Sequence, residues 1–149
     1  MPIPREQLRL TPEELEEFLL TERAVHVGTV GPDGDPHVVP LWYVWHDGAM
    51  YFNSLKRSRR SRDIEHGTRV SACVDGGHEY AELRGAVLYG VIEDAGSVPG
   101  IRKMFGEKYW SGIEIPEVKS HRWLVLRPDK IVSWDFAKIP AGRDRRLSS

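Results

Sequence analysis

The sequence lacks the features that mark several large classes of protein. A single cysteine, Cys73, cannot form an internal disulfide. No apolar run approaches the length of a membrane-spanning helix, and no signal peptide is visible at the polar start of the chain. The six histidines show no His-x-x-x-His or Cys-His spacing, which argues against a metal site. We therefore expect a cytoplasmic protein that needs no membrane, metal ion or disulfide.

The chain also lacks a large net charge. Its 21 basic and 22 acidic side chains leave a formal net charge of -1, whereas a dedicated nucleic-acid binder carries a broad basic surface. We therefore expect no nucleic-acid partner. With 149 residues, 40% of them apolar, the chain is predicted to form one domain with its own core, spanning residues 1–149. Residues 142–149 are basic and polar and are predicted to form a loose tail.

One short segment departs from this charge balance. Leu55 to Arg62 reads Leu-Lys-Arg-Ser-Arg-Arg-Ser-Arg, directly after an apolar strand. Ser58 is suited to cap a short helix that runs to about His66. The bases then crowd the positive end of the helix dipole, while Asp63 and Glu65 fall in its last turns, an order that is unfavourable unless an anion binds. The segment predicts a phosphate site; a solvated basic face is the alternative.

The rest of the pattern predicts a β-rich chain with a few short helices. Thr11 to Glu14 forms a capping box with proline at the first helical position, which predicts a helix to about Glu22. A second helix is predicted from Ser97 to about Trp110. A series of six or seven strands joined by short turns, the longest bent to pair with more than one neighbour, predicts an antiparallel barrel. The strand predictions are Ala24–Val30, His37–Trp45, Ala49–Leu55, Arg69–Val74, Tyr80–Glu93, His121–Leu126 and Lys130–Phe136.

Taken together, these segments resemble the pyridoxamine 5′-phosphate oxidase-like proteins. Most of the chain takes part, and the order and spacing of several short motifs carry the resemblance rather than any one of them. It implies a mainly β fold, the FMN-binding split β-barrel, which is antiparallel and Greek-key-like with a few short peripheral helices. The motifs are Pro36-His37-Val38-Val39-Pro40, Tyr51-Phe52-Asn53-Ser54, Ser58-Arg59-Arg60, Ile64-Glu65, Arg69-Val70-Ser71, Gly85 and Arg127-Pro128-Asp129-Lys130-Ile131-Val132-Ser133-Trp134.

The resemblance also implies a set of cofactor-binding residues. The cofactor phosphate is expected at the side chains Ser54, Ser58, Arg59 and Arg60, with Lys56 as a supplementary cation. The tricyclic ring is expected against the strand residues Val39, Pro40, Leu41 and Trp42. The basic residues that the oxidase itself carries on this strand are replaced here by Val38 and Tyr43, so we do not expect oxidation of pyridoxamine phosphate.

Within the family, the chain looks like the short single-domain branch that uses the deazaflavin coenzyme F420; FMN is the alternative cofactor. The cations Lys56, Arg57 and Arg62 are suited to the anionic tail of coenzyme F420. The implied function is an oxidoreductase that transfers hydride from reduced coenzyme F420 to a conjugated small-molecule acceptor of the quinone, enone or tetrapyrrole type. The cofactor carries this chemistry, so no catalytic side chain is required. The implied assembly is a homodimer with Trp134 or its neighbours in the interface.

Two other classes of function remain open at this point: a non-catalytic carrier of a flavin, deazaflavin or haem, and an anion- or RNA-binding barrel. The aromatic side chains Trp42, Tyr43, Trp45 and Trp110 are candidates for the acceptor side, although core positions are the usual place for such residues. His37 and His78 are candidate proton donors to a reduced acceptor.

Overall fold

The computed structural model describes residues 3–58, 61–62, 67 and 69–140. Within these residues, eight strands form one antiparallel sheet that curls into a split barrel, and three α-helices lie at its margins. This confirms the predicted mainly β fold. In chain order the elements are α1 (Arg5–Leu8), α2 (Pro12–Thr21), β1 (Val25–Val30), β2 (Pro36–Leu41), β3 (Val44–His46), β4 (Ala49–Leu55), β5 (Arg69–Gly76), β6 (Arg84–Asp94), α3 (Ile101–Tyr109), β7 (His121–Leu126) and β8 (Lys130–Asp135).

Strand pairing follows the order β2-β1-β5-β6-β7-β4-β3, and β8 pairs with β6. The long strand β6 bends so that it pairs with three neighbours, as its length predicted: β5 along most of its course, β8 at its start and β7 at its end. Gly85 makes the pairing with β8 possible, because a Cβ there would overlap the ring of Trp134. The bend of β6 joins the two halves of the barrel.

The barrel interior is closed by α2. Thr11 caps this helix through a capping box with Glu14, as predicted, and Phe18 and Leu19 are buried against the strands. The buried Tyr43 hydroxyl donates a hydrogen bond of 2.6 Å to the Leu19 carbonyl at the end of the helix. These contacts fix the residues that connect β2 with β3.

Some element boundaries differ from the predictions. The single strand predicted over residues 37–45 is wrong, since β2 ends at Leu41 and β3 begins at Val44. Between them the backbone N–H of Tyr43 donates to the Tyr109 hydroxyl rather than to a neighbouring strand. The strand predicted from Tyr80 begins instead at Arg84, after a 3₁₀ turn, and α3 begins at Ile101, after a left-handed Gly100. None of the helices in the described ranges is long and apolar enough to cross a membrane.

Candidate functional site

A second packing layer covers the outer face of β4 and β7. It consists of α3 and the segment that follows it, residues 110–118, which we call the roof segment. Gly106 allows this segment to fold back across the helix, because a Cβ there would overlap the backbone carbonyl of Ile113. Buried Ile115 fixes the fold-back, since its N–H donates to the Arg102 carbonyl and its own carbonyl accepts from the Arg102 guanidinium. The roof segment is therefore held at a defined distance from the sheet.

Between the sheet and this layer lies an apolar cavity of about 610 Å³. This volume is within the range of small-molecule binding sites. We call it the apolar cavity. Its lining comes from the residue before β1, from the end of β2 and the residue after it, from β4, from α3, from the roof segment and from the start of β7: Ala24, Pro40, Leu41, Trp42, Asn53, Phe105, Trp110, Ile115, Pro116, Val118 and His121.

Trp42 forms a fixed aromatic wall of the apolar cavity. Its ring stacks on Tyr109 with 4.5 Å between centroids and 8° between planes. The Tyr109 hydroxyl accepts from the Tyr43 N–H and lies 2.8 Å from the carbonyls of Arg23 and Tyr43. Burial raises the pKa of Tyr109 to about 12, so the hydroxyl stays protonated at neutral pH. Trp42 is half exposed, and its position is fixed by the tyrosine behind it.

A polar cavity of about 520 Å³ adjoins the apolar one and shares Asn53, Pro116, Val118 and His121 with it. Its wall carries the cations Lys56, Arg102 and Arg122 together with acidic side chains. Arg102 lies 3.6 Å from Glu114, and Arg122 lies 3.4 Å from Asp94. Asn53 and His121 therefore stand where an apolar chamber meets a charged one.

The predicted phosphate segment, defined from here on as residues 54–62, leaves β4 at the edge of the polar cavity. The Ser58 hydroxyl accepts from the Ser61 N–H at 3.1 Å, a contact of the kind that an N-cap makes. Ser54 is fully buried, with its hydroxyl 3.4 Å from that of Ser58. Lys56 is exposed, and its backbone N–H donates to the Ser120 carbonyl. Arg59 and Arg60 lie outside the described residues, as do Asp63, Glu65 and His66 of the predicted helix.

Arg122 is a residue of this region that the sequence motifs did not indicate. Strand pairing places it directly opposite Ser54 on the neighbouring strand β7. Its guanidinium donates to the Ser61 carbonyl at 3.2 Å and lies close to Asp94. Arg122 thus braces the phosphate segment from the side. Because the pairing of β4 with β7 creates this proximity, only the register of the two strands could have predicted it.

The other predicted site residues fall into two groups. Pro40, Leu41, Trp42 and Trp110 line the apolar cavity, whereas Val39 is not part of its wall and pairs with Val27 of β1. Tyr43 and Trp45 are buried in the core and are excluded from the acceptor side. Neither His37 nor His78 lines either cavity. Within the described residues, no cluster of three or more His, Cys, Asp or Glu side chains could hold a metal ion.

The family model for pyridoxamine 5′-phosphate oxidase matches residues 11–135, which is most of the chain. The chain belongs to this oxidase family. The match covers the apolar cavity, the phosphate segment and all eight strands of the family's split barrel. No curated protein sequence matches at a significant level.

Several solved structures share this fold. A conserved hypothetical protein, Rv2991 from Mycobacterium tuberculosis, is 24% identical with a TM-score of 0.77, and 92% of each chain is covered. An F420 reductase is 24% identical with a TM-score of 0.64, covering 81% of this chain and 98% of its own. A FAD-binding protein from Mesorhizobium loti is 22% identical with a TM-score of 0.63, covering 83% and 94%. At identities of 22–24%, the similarity between these structures and this chain establishes a shared fold.

Proposed function

We propose that the protein is a reductase that uses reduced coenzyme F420 to transfer hydride to a conjugated small-molecule acceptor. One observation carries the proposal: the apolar cavity and the cationic phosphate segment are joined by the same strand, β4. Asn53 of this strand lines the cavity, and Ser54 begins the phosphate segment. A ligand with a planar apolar ring and a phosphate fits this succession of surfaces.

The residues present fit such a cofactor. Pro40, Leu41 and Trp42 would hold the ring, and Asn53 offers an amide to its polar rim. Lys56 and Ser58 would meet the phosphate together with Arg59 and Arg60. When bound, the cofactor supplies a hydride at its central ring. The apolar wall keeps water away from that point, and Trp42, held by Tyr109, fixes the plane in which a flat molecule can stack.

Coenzyme F420 is favoured over FMN by the charges beside the phosphate segment. The exposed side chains Lys56, Arg57 and Arg62 are suited to its anionic tail, and the F420 reductase of the same fold is consistent with this assignment. FMN is the second candidate, supported by the FAD-binding neighbour. Val38 and the buried Tyr43 supply no cation on the ring side, so we propose no pyridoxamine phosphate oxidation.

We propose further that the protein acts as a homodimer through β8, a strand at the edge of its sheet. Ile131 and Val132 of β8 are more than a third exposed, and Trp134 follows them on the same strand. A groove of about 760 Å³ runs along neighbouring β1, β2, β5 and β6. Light scattering should give twice the chain mass at micromolar concentration, and an Ile131→Glu, Val132→Glu variant should give a smaller mass. A wild-type monomer that binds cofactor fully would contradict the dimer.

Titration with coenzyme F420 and FMN side by side, followed by cofactor fluorescence, tests the function. We expect the protein to bind coenzyme F420 more tightly than FMN. An Arg59→Ala, Arg60→Ala variant should bind the cofactor at least about tenfold more weakly than the wild type, because a charged hydrogen bond contributes about 1.5–3 kcal/mol. Arg127→Ala is the matched control. Arg127 follows the last residue of β7, whereas His121, which borders the site, is the first residue of that strand.

Activity is tested with reduced coenzyme F420 and a panel of quinones, enones and tetrapyrroles, with reoxidation followed by absorbance. Turnover with FMN alone would assign the protein to the flavin group. Tight binding without turnover of any acceptor would favour a carrier instead.

A further inference from the structure

The reduction of a conjugated acceptor by hydride also requires a proton, and the apolar cavity holds one group suited to donate it. Among the described residues that line this cavity, His121 is the one ionisable side chain. Imidazole is the side chain that exchanges protons most readily near neutral pH. The remaining walls are apolar, aromatic or amide groups, which do not supply protons.

The backbone fixes the position of His121 at the junction of the two cavities. It is the first residue of β7 and pairs with Leu55 at the end of β4. The residue before it, Ser120, accepts the Lys56 N–H through its carbonyl at 2.9 Å, so this end of β7 is tied to the start of the phosphate segment.

The imidazole is oriented by its neighbour. The Ser120 hydroxyl lies 3.2 Å from Nδ1 of His121. Nε2 has no hydrogen-bond partner among the described residues, and it is therefore the ring nitrogen that remains for a ligand. Because His121 borders the polar cavity as well, a proton given up inside can be replaced from solvent through the charged chamber.

We propose that His121 is the proton donor of the reduction, with Ser120 as its positioning residue; this proposal rests on the proposed function. For an enone, hydride from the reduced cofactor forms a C–H bond at the β-carbon, and the electron pair of the C=C bond moves to the carbonyl as an enolate. The imidazolium of His121 then gives its Nε2 proton to the α-carbon. The acceptor has gained H⁻ from the cofactor and H⁺ from His121, which together are two electrons and two protons, and His121 regains its proton from water.

The first test uses 2-methyl-2-cyclohexen-1-one, whose α-carbon becomes a stereocentre on protonation. The wild-type protein with reduced coenzyme F420, or with reduced FMN if that cofactor binds, should give predominantly one enantiomer of the product. His121→Gln should lower the turnover number by about 10²- to 10⁴-fold and give a racemic product, with the Kd for cofactor unchanged. His78→Gln removes an exposed histidine outside both cavities and should behave as wild type. An unchanged enantiomer ratio in His121→Gln would overturn the proposal.

The second test needs no cofactor. 4-Nitrophenolate carries its charge on an oxygen beside a planar ring, like the enolate, and its absorbance shows whether it binds ionised. The wild-type protein should bind it about tenfold or more tightly than His121→Gln, because the proposed imidazolium attracts the negative charge spread over the phenolate in one protein and is missing in the other.

These outcomes separate the two proposals. Absence of turnover with either cofactor removes the proposed function but leaves the phenolate comparison in force. Equal phenolate affinity of the wild type and His121→Gln, with both proteins folded by circular dichroism, would overturn the role of His121 whatever the cofactor.

Discussion

Replacement of Gly106 by alanine tests whether the roof segment is held as the structure shows. Alanine is the better helix former by about 1 kcal/mol, so an unconstrained helix would gain stability from the change. At this position, however, the new methyl group overlaps the Ile113 carbonyl. That carbonyl is backbone and cannot rotate aside like a side chain. The roof segment must therefore move away from α3.

The cost follows from what the roof segment contributes. Ile115 is 5% exposed, and burying an isoleucine side chain contributes about 1.5–3 kcal/mol. The two hydrogen bonds between Ile115 and Arg102 add about 1 kcal/mol each. Loss of these contacts, less the gain in helix propensity, predicts a net destabilisation of about 2–4 kcal/mol. For a domain of this size the midpoint of thermal unfolding should fall by roughly 5–15 °C.

Urea unfolding followed by far-UV circular dichroism measures the change. Gly34→Ala is the control, because Gly34 has a φ of 83° but no neighbour within 4 Å, so it reports only the backbone strain, about 1 kcal/mol. Ring-ligand affinity should fall in Gly106→Ala and not in Gly34→Ala, since the roof segment lines the apolar cavity. A Gly106→Ala protein as stable as wild type would refute the fold-back of the roof segment.

Two further predictions concern side chains around Tyr43. Burial and nearby Arg23 lower the pKa of Lys108 to about 8, below that of about 10.4 in the unfolded chain, so the unfolded state binds more protons between these values. The free energy of unfolding, measured by urea titration, should therefore rise by about 1 kcal/mol from pH 8 to 9.5 once solvent screening is allowed for. Lys108→Met should lack this rise. A wild-type free energy of unfolding that does not change with pH would contradict the prediction. Tyr109→Phe leaves the Tyr43 N–H without its partner and should cost about 1–3 kcal/mol by thermal unfolding. Unchanged stability would show that the hydroxyl does not hold Trp42.

The fold could be predicted from the sequence because its signals are local. Capping residues mark α2, and Gly- or Asp-containing turns separate strands that pair as hairpins, such as β1 with β2 and β5 with β6. The boundary between β2 and β3 could not be predicted from the sequence, because it depends on the contact of Tyr43 with Tyr109, which is 66 residues away. Apolar side chains at residues 42 and 43 continue the strand pattern, while the tertiary hydrogen bond ends the strand.

The phosphate segment and the apolar cavity also differ in how far they can be predicted from the sequence. The phosphate segment is one continuous run of the chain, so its charges and hydroxyls are visible side by side in the sequence. The apolar cavity draws its wall from six separate parts of the chain, and no short motif contains two of them. Ser120, His121 and Arg122 carry no recognisable pattern. They acquire their positions only when β7 pairs with β4, which sets Arg122 opposite Ser54 and His121 opposite Leu55.

This division has a consequence for specificity. Substitutions within residues 54–62 change charge beside the phosphate and should alter the affinity for cofactor whatever acceptor is used. Substitutions in the roof segment, which includes Trp110, change the shape of the apolar wall. Changes in the roof segment should therefore alter the fit of a ring ligand, whether cofactor or acceptor, while the charged contacts to the phosphate are kept. Of the four described residues that line both cavities, His121 is the one with an ionisable side chain, so under the proposed mechanism its replacement should affect the chemical step more than the binding of either ligand.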